Sequence, residues 1–232
     1  MENKHIIIAF EGNIGAGKST LISILQEKLK FLQSIEFVLE PVDEWEKIND
    51  KNGENILQKF YENPKKYAFS FQLLVLMSRY KMIKDKISCQ SYQSYSSCKN
   101  KIILCERSVL TDHKVFAKML YDKGYIDDIE YDIYKYNENI VKNELNFVKY
   151  IYLRTSPVKC MERINKRNRI GENISFEYVK LCEKYHDDVL LNKNSEKNNV
   201  LVIDGDHDNF NDLDESVLNN IFEFIFDNNI IV

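Results

Sequence analysis

The segment Gly12-Asn13-Ile14-Gly15-Ala16-Gly17-Lys18-Ser19 fits the spacing G-x-x-x-x-G-K-[ST]. It follows a short apolar run and opens a helical pattern, the context in which such a loop cradles phosphate. Glycines let backbone N–H groups close around a β-phosphate, and the helix start adds partial positive charge. Lys18 is expected to reach the β- and γ-phosphates of a nucleoside triphosphate, and Ser19 to ligate Mg2+. The segment Gly12–Thr20 is thus the expected ATP site. Spacing alone does not say whether the γ-phosphoryl group goes to water or to an acceptor.

Ligands of parallel α/β sheets bind beyond the carboxyl ends of the strands. Two of the expected strands end in carboxylates, at Glu40-Pro41 and at Glu106-Arg107-Ser108. No strand end offers the glutamine and D-x-x-G loop of a hydrolysing switch. Phosphoryl transfer to an alcohol needs a base near the hydroxyl and cations around the moving group. Glu40 is a candidate base, Glu106 a candidate Mg2+ partner, and Arg107 is placed to hold charge between them. A lone strand-end glutamate is more often a cap or a surface ion pair; two beside a phosphate loop favour chemistry.

A second cationic cluster is Arg163, Arg167 and Arg169. Arg163 and Arg167 share a helical face, and stacked like charges cost stability unless an anion is near. The cluster reads either as a lid on the ATP phosphates or as a solvated helix face. The segment Lys65–Ile87 is a mostly apolar helix interrupted by Gln72 and Arg79, two turns and about 10 Å apart on one stripe. A glutamine amide pairs a donor with an acceptor, which suits a nucleobase edge. Arg79 needs an anionic partner, and Asp112 is a candidate. Phe116 follows Asp112 by four residues and is expected on the same helical face. Read singly, Phe116 and Trp45 are core residues more often than ligand platforms.

The elements that must position these residues alternate. Strands are expected at His5–Phe10, Ile35–Glu40, Ile102–Cys105, Val148–Leu153 and Val200–Ile203. Helices are expected at Lys18–Leu32, Asn55–Tyr61, Lys65–Ile87, Thr111–Tyr121, Asp127–Glu144, Pro157–Lys166, Phe176–Leu190 and Leu213–Phe226. Asn63-Pro64 reads as an N-cap followed by a first-turn proline, and Asn52-Gly53 as a turn. This order implies an α/β fold with a five-stranded parallel sheet flanked by helices. The low-complexity stretch Ser88–Asn100 reads as an exposed loop.

The 232 residues, 44% apolar and 29% charged, fit one globular domain spanning the chain. A formal charge of −4 argues against a general nucleic-acid binder. No apolar run reaches membrane-span length and no signal peptide is evident, so the expected location is cytoplasmic. The five cysteines, Cys89, Cys98, Cys105, Cys160 and Cys182, read as reduced thiols. The four histidines, His5, His113, His186 and His207, read as surface or capping residues.

Together the phosphate loop, Glu40-Pro41-Val42-x-x-Trp45, Tyr61, Phe71-Gln72, Glu106-Arg107-Ser108 and the Arg163/Arg167/Arg169 set resemble the deoxynucleoside kinase family. The match runs in order from the first strand to the last helix. It implies a P-loop kinase fold with an arginine-rich lid, and transfer of the ATP γ-phosphoryl group to a deoxynucleoside 5′-hydroxyl in nucleotide salvage. By this resemblance Glu40 is the base, Arg107 holds the 5′-oxygen, and Gln72 pairs with the nucleobase, which Phe71, Phe116 and Trp45 line. Tyr61 and Glu172 would hold the 3′-hydroxyl, the lid arginines the ATP phosphates, and Asp206-His207-Asp208 would lie near adenine. The segment Ile170–Asn173 is slightly shorter than the family pattern. Arg79 with Asp112 is similar to the deoxycytidine/deoxyguanosine kinase branch, which implies deoxycytidine and purine deoxynucleosides ahead of thymidine. Family members are usually homodimers joined through long helices. Two other readings share parts of this pattern: a nucleoside monophosphate kinase, whose bound phosphate Glu40 would repel, and a non-catalytic subunit, against which the intact Lys18, Glu40 and arginines argue.

Overall fold

The computed structural model describes residues 5–88, 101–145, 147–192, 199–207 and 214–227. In chain order these form β1 (Ile6–Glu11), α1 (Lys18–Leu29), β2 (Ile35–Val38), α2 (Val42–Trp45), α3 (Ile56–Glu62), α4 (Pro64–Ile87) and β3 (Ile102–Glu106). There follow α5 (Val109–Thr111), a π-helical turn (Asp112–Ala117), α6 (Lys118–Asp122), α7 (Asp128–Glu144) and β4 (Phe147–Arg154). The last elements are α8 (Pro157–Arg167), α9 (Phe176–Leu190), β5 (Val200–Asp204) and α10 (Glu215–Phe226).

The five strands are all parallel in the order β2-β3-β1-β4-β5. The near-continuous apolar run of β1 suits its central place, where both faces are covered. Successive β1 side chains point to opposite faces. Ile8 and Phe10 pack with Leu21, Leu25, Cys160 and Ile221 from α1, α8 and α10. Ile7 joins Ile103, Phe60, Leu76 and Tyr134 from β3, α3, α4 and α7. The sheet therefore separates two cores, and its carboxyl edge carries the phosphate loop, Glu40 and Glu106.

Most expected boundaries hold within one or two residues, and the caps explain why. Asn63 accepts from the Lys66 N–H ahead of Pro64, and Asn55 and Asp127 each form a reciprocal capping box. Three expectations need correction. The second strand stops at Val38, so Glu40 lies two residues beyond it; Pro41 has no N–H to continue a ladder. The first helix stops at Leu29 rather than Leu32. The expected helix Thr111–Tyr121 is three pieces, with the π-helical turn in the middle. Its hydrogen bonds close over five residues, so Asp112 and Phe116 are not stacked one α-turn apart.

The histidine reading is also corrected. His186 is wholly buried, and its Nδ1 lies 2.7 Å from the Cys182 carbonyl oxygen. Burial, then the nearby Arg107 charge, pushes its pKa down to about 3, so it is neutral. His113 is buried between Glu138, at 2.9 Å, and the Tyr131 hydroxyl, at 2.8 Å. Cys105, Cys160 and Cys182 are buried free thiols. Cys89, Cys98 and all of the Ser88–Asn100 stretch except Ser88 lie outside the described residues. Among the described residues no helix is long and apolar enough to cross a membrane.

Candidate active site

The loop after β1 can form because two glycines sit where a side chain cannot. A Cβ on Gly12 would lie 2.6 Å from the Leu153 carbonyl oxygen, and one on Gly15 2.6 Å from that of Cys160. Both have positive φ, 148° and 75°. Asn13 anchors the loop to α9, its Nδ2 donating to the Val179 carbonyl at 2.8 Å. Ala16 is buried in the core, and its carbonyl accepts from Thr155 at 3.1 Å.

Lys18 folds back over this loop. Its ammonium donates to the Asn13 carbonyl at 2.9 Å and the Gly12 carbonyl at 3.3 Å, 4.0 Å from Glu106. Burial, with Arg107 beside it, lowers its pKa to about 8, against the pull of Glu106, Glu40 and Glu11. Ser19 donates its hydroxyl toward both Glu106 oxygens, at 3.0 and 3.1 Å. A hydroxyl and a carboxylate facing one another at a phosphate loop are oxygen donors that could hold Mg2+. Among the described residues no group of three His, Cys, Asp or Glu could hold a metal by itself. The donor set fits a metal that arrives with a nucleotide.

Glu40 lies between two guanidinium groups. Its Oε1 is 3.3 Å from Arg79 Nη2 and 3.3 Å from Arg107 Nε. Burial tends to raise its pKa, but Arg107, Arg79 and Lys18 outweigh that and hold the carboxyl below the usual range. Arg79 is wholly buried and reaches three acceptors. It grips Asp112 through Nε at 2.7 Å and Nη2 at 3.1 Å, and also bonds Glu40 and the Glu106 carbonyl. Arg107 adopts φ 65°, rare for a side-chain-bearing residue. Its backbone N–H donates to the Phe10 carbonyl at 2.9 Å and its Nη1 to that of Gly12 at 2.8 Å, which over-determine the turn. Its guanidinium stacks on Phe116, 4.6 Å from the ring centroid.

A cleft of about 1000 Å³ joins these groups to an aromatic chamber. Ile14, Gly15, Gly17, Lys18, Ser19 and Thr20 form one end; Trp45, Tyr61, Phe71, Gln72 and Phe116 line the other. Trp45 packs edge-on to Phe71 at 5.4 Å and donates its indole N–H to Ser78 at 3.0 Å, and Phe71 stacks on Phe60 at 4.9 Å. Gln72 is 3% exposed, and its Oε1 has no partner. A buried amide oxygen left unpaired is costly unless a ligand satisfies it. Burial, then the charge of Glu172, raises the Tyr61 phenol.

Arg163, Arg167, Arg169 and Glu172 also line the cleft. Arg163 donates to the carbonyls of Ala16, at 2.6 Å, Gly205, at 2.9 Å, and His207. Arg167 pairs with Glu172 at 2.6 Å, and Arg169 reaches Glu172 at 3.7 Å and Glu46 at 3.8 Å. Asp206 and His207 are not among the cleft-lining residues. Asp206 accepts from the Ser156 N–H at 2.8 Å at the start of α8. Asp208 lies outside the described residues.

Sequence reasoning passed over Glu11, wholly buried at the end of β1 with Oε2 2.7 Å from the Thr111 hydroxyl, and Tyr178, which lines the cleft. Glu11 offered the same signal as Glu40, a carboxylate at a strand end. Tyr178 offered none.

A family model described as deoxynucleoside kinase matches residues 8–226. The chain belongs to the deoxynucleoside kinase family. Relatives include a Fowlpox virus (strain NVSL) protein named "Probable deoxycytidine kinase", 37% identical over 95% of this chain and 88% of its own. Deoxycytidine kinase 2 of Gallus gallus is 33% identical over 88% and 84% of the two chains. The Homo sapiens deoxycytidine kinase is 31% identical over 94% and 90%. This deoxynucleoside kinase family member is therefore an ATP-dependent phosphotransferase with a nucleoside acceptor, of deoxycytidine kinase-like type. The family assignment selects this reading over a monophosphate kinase.

Proposed function

We propose that this kinase phosphorylates the 5′-hydroxyl of deoxycytidine and purine deoxynucleosides in preference to thymidine, in nucleotide salvage in the cytoplasm. The observation that carries the acceptor preference is the buried Arg79–Asp112 pair, of which Asp112 lines the same cleft as Gln72. Arg79 is not among the cleft-lining residues, and Asp112, which it holds, brings a charged, hydrogen-bonding edge where the methyl of thymine needs apolar room. The names of the viral, avian and human relatives support deoxycytidine as an acceptor.

In this reading Glu40 takes the proton from the 5′-hydroxyl, held ready by Arg79 and Arg107. Arg107 steadies the attacking oxygen. Gly12–Thr20 wraps the ATP phosphates, and Lys18 leaves the loop carbonyls for the β- and γ-oxygens. Ser19 and Glu106 hold Mg2+, which neutralises charge on the phosphates when bound. Gln72 satisfies its free oxygen on the nucleobase edge, between Trp45, Phe71 and Phe116. Tyr61 and Glu172 take the 3′-hydroxyl. Arg163, Arg167 and Arg169 contact the phosphates, the last two by giving up Glu172. Asp206 and His207 border the adenine.

The whole chain acts as a single domain and pairs as a homodimer. Ile129, Ile133, Tyr136 and Ile140 recur at helical spacing on one face of α7 and are 73%, 43%, 69% and 45% exposed. A contiguous apolar stripe of this kind supports a covered surface.

The test is product formation from Mg-ATP with deoxycytidine, deoxyadenosine, deoxyguanosine and thymidine side by side. Monophosphate from the first three ahead of thymidine is the expected ranking. Thymidine clearly ahead overturns the acceptor preference; no product from any acceptor, in folded protein that binds ATP, overturns the whole reading.

A further inference from the structure

The three arginines of α8 and the turn after it are already engaged by protein acceptors. Arg163 spends its guanidinium on backbone carbonyls, and Arg167 and Arg169 share Glu172. The remaining cation of this segment that lines the cleft is Lys166. It sits in the last turn of α8, is exposed, and among the described residues has no carboxylate within ion-pairing distance. It lines the main cleft and not the smaller cavity of about 420 Å³, which Asn165 and Asn168 line. Lys166 thus shares one solvent-filled space with Lys18, Ser19 and Thr20.

We propose that Lys166 is a further nucleotide-binding residue, whose ammonium engages the phosphate chain of ATP on the Gly12–Thr20 loop. The proposal rests on the ATP-binding role given to that loop above. Its physical basis is the cost of exchange. Arg167 and Arg169 must break ion pairs with Glu172 before either can serve a phosphate; among the described residues Lys166 has no ion pair to break. A lysine on its four-carbon stem is a compact charge that follows a moving anion, where a guanidinium fork demands one geometry. The competing role is local: a cation in the last turn also offsets the helix dipole. That role acts on stability alone and is indifferent to ligand.

The experiment is calorimetric titration of wild type, Lys166→Met and Lys166→Arg with a non-hydrolysable ATP analogue plus Mg2+, and separately with deoxycytidine. Lys166→Met leaves no buried group orphaned, so the fold should survive, as a thermal melt checks. The expected result is a loss of analogue affinity on the order of tenfold in Lys166→Met, the scale of one charge-assisted contact. Deoxycytidine affinity stays within about twofold, and Lys166→Arg recovers most of the loss. Unchanged analogue affinity in a folded variant overturns the proposal, and so does an equal loss for both ligands. Because the readout is binding, wild type that holds the analogue but phosphorylates no deoxynucleoside defeats the acceptor reading and still lets the titration decide Lys166.

Discussion

The Ser19 hydroxyl lies 3.0 and 3.1 Å from the two carboxylate oxygens of Glu106, across 87 positions of sequence. The two groups meet because β1 and β3 are adjacent parallel strands whose carboxyl ends coincide. If this edge holds Mg2+, chelation by EDTA abolishes turnover and added Mg2+ restores it. Glu106→Gln should raise the Mg2+ concentration for half-maximal rate by about tenfold or more, on the scale of lost metal-site support. A Mg2+ titration at saturating ATP measures this; an unchanged requirement would remove Glu106 from the metal site.

Glu40 acts as base only if it is ionised and aimed. Arg107, Arg79 and Lys18 overcome its burial and depress its pKa, so the carboxylate persists at neutral pH. Protonation is lost as an obstacle above the depressed pKa, so the Glu40-dependent fall in kcat/KM should come only below the ordinary glutamate value of 4.5. Glu40→Gln should lower kcat by about 10²–10⁴-fold. Steady-state rates across pH for both proteins test the pair of statements, and a variant within a few-fold of wild type would strip Glu40 of the role.

Lys18 has its pKa lowered to about 8 by burial and by Arg107. Free protein therefore loses this cation as pH rises through that value. Triphosphate favours the charged form, so its binding raises the pKa again. The expected outcome is proton uptake when ATP binds above about pH 8, seen as a dependence of the apparent binding enthalpy on the ionisation enthalpy of the buffer. Lys18→Met should abolish that uptake and weaken binding. Equal enthalpies in all buffers for wild type would contradict the assignment.

Asp112 is the bidentate partner of a fully buried arginine. Asp112→Ala leaves Arg79 with Glu40 and one carbonyl, and should destabilise the fold by about 3–5 kcal/mol, the range for one broken buried ion pair. Replacing both residues, as in Arg79→Met with Asp112→Ala, should cost less than the sum of the single changes. Urea unfolding of the four proteins closes the cycle; additive costs would show that the pair is not coupled.

The apolar face of α7 carries the homodimer proposal. Wild type should sediment as a dimer, and Ile133→Glu with Ile140→Glu should sediment as a monomer with the helix content unchanged. A wild-type monomer at micromolar concentration ends that proposal without touching the catalytic one.

Several of these features were legible in the chain itself. The phosphate loop, the five strands, the cap at Asn63, and the carboxylates at Glu40 and Glu106 rest on short-range signals. Glycine at forced φ, alternation of β-branched and helical periods, and side-chain caps act within a few residues of sequence. Arg79 in an apolar helix asked for an anion, and Asp112 supplies it. What only tertiary structure decided is how the charges divide one another. Arg79 also holds Glu40 and the Glu106 carbonyl, Arg163 donates to backbone carbonyls, and Glu172 occupies two arginines. Glu11, His113 and His186 vanish into the interior, and a π-helical turn re-aims Phe116 beneath Arg107. These contacts join residues distant in sequence, and they exist because parallel strands bring their carboxyl ends to one edge and helix packing sets the distances there. Composition and spacing specify which chemistry the chain carries; the packed sheet alone determines which partner each charge finds.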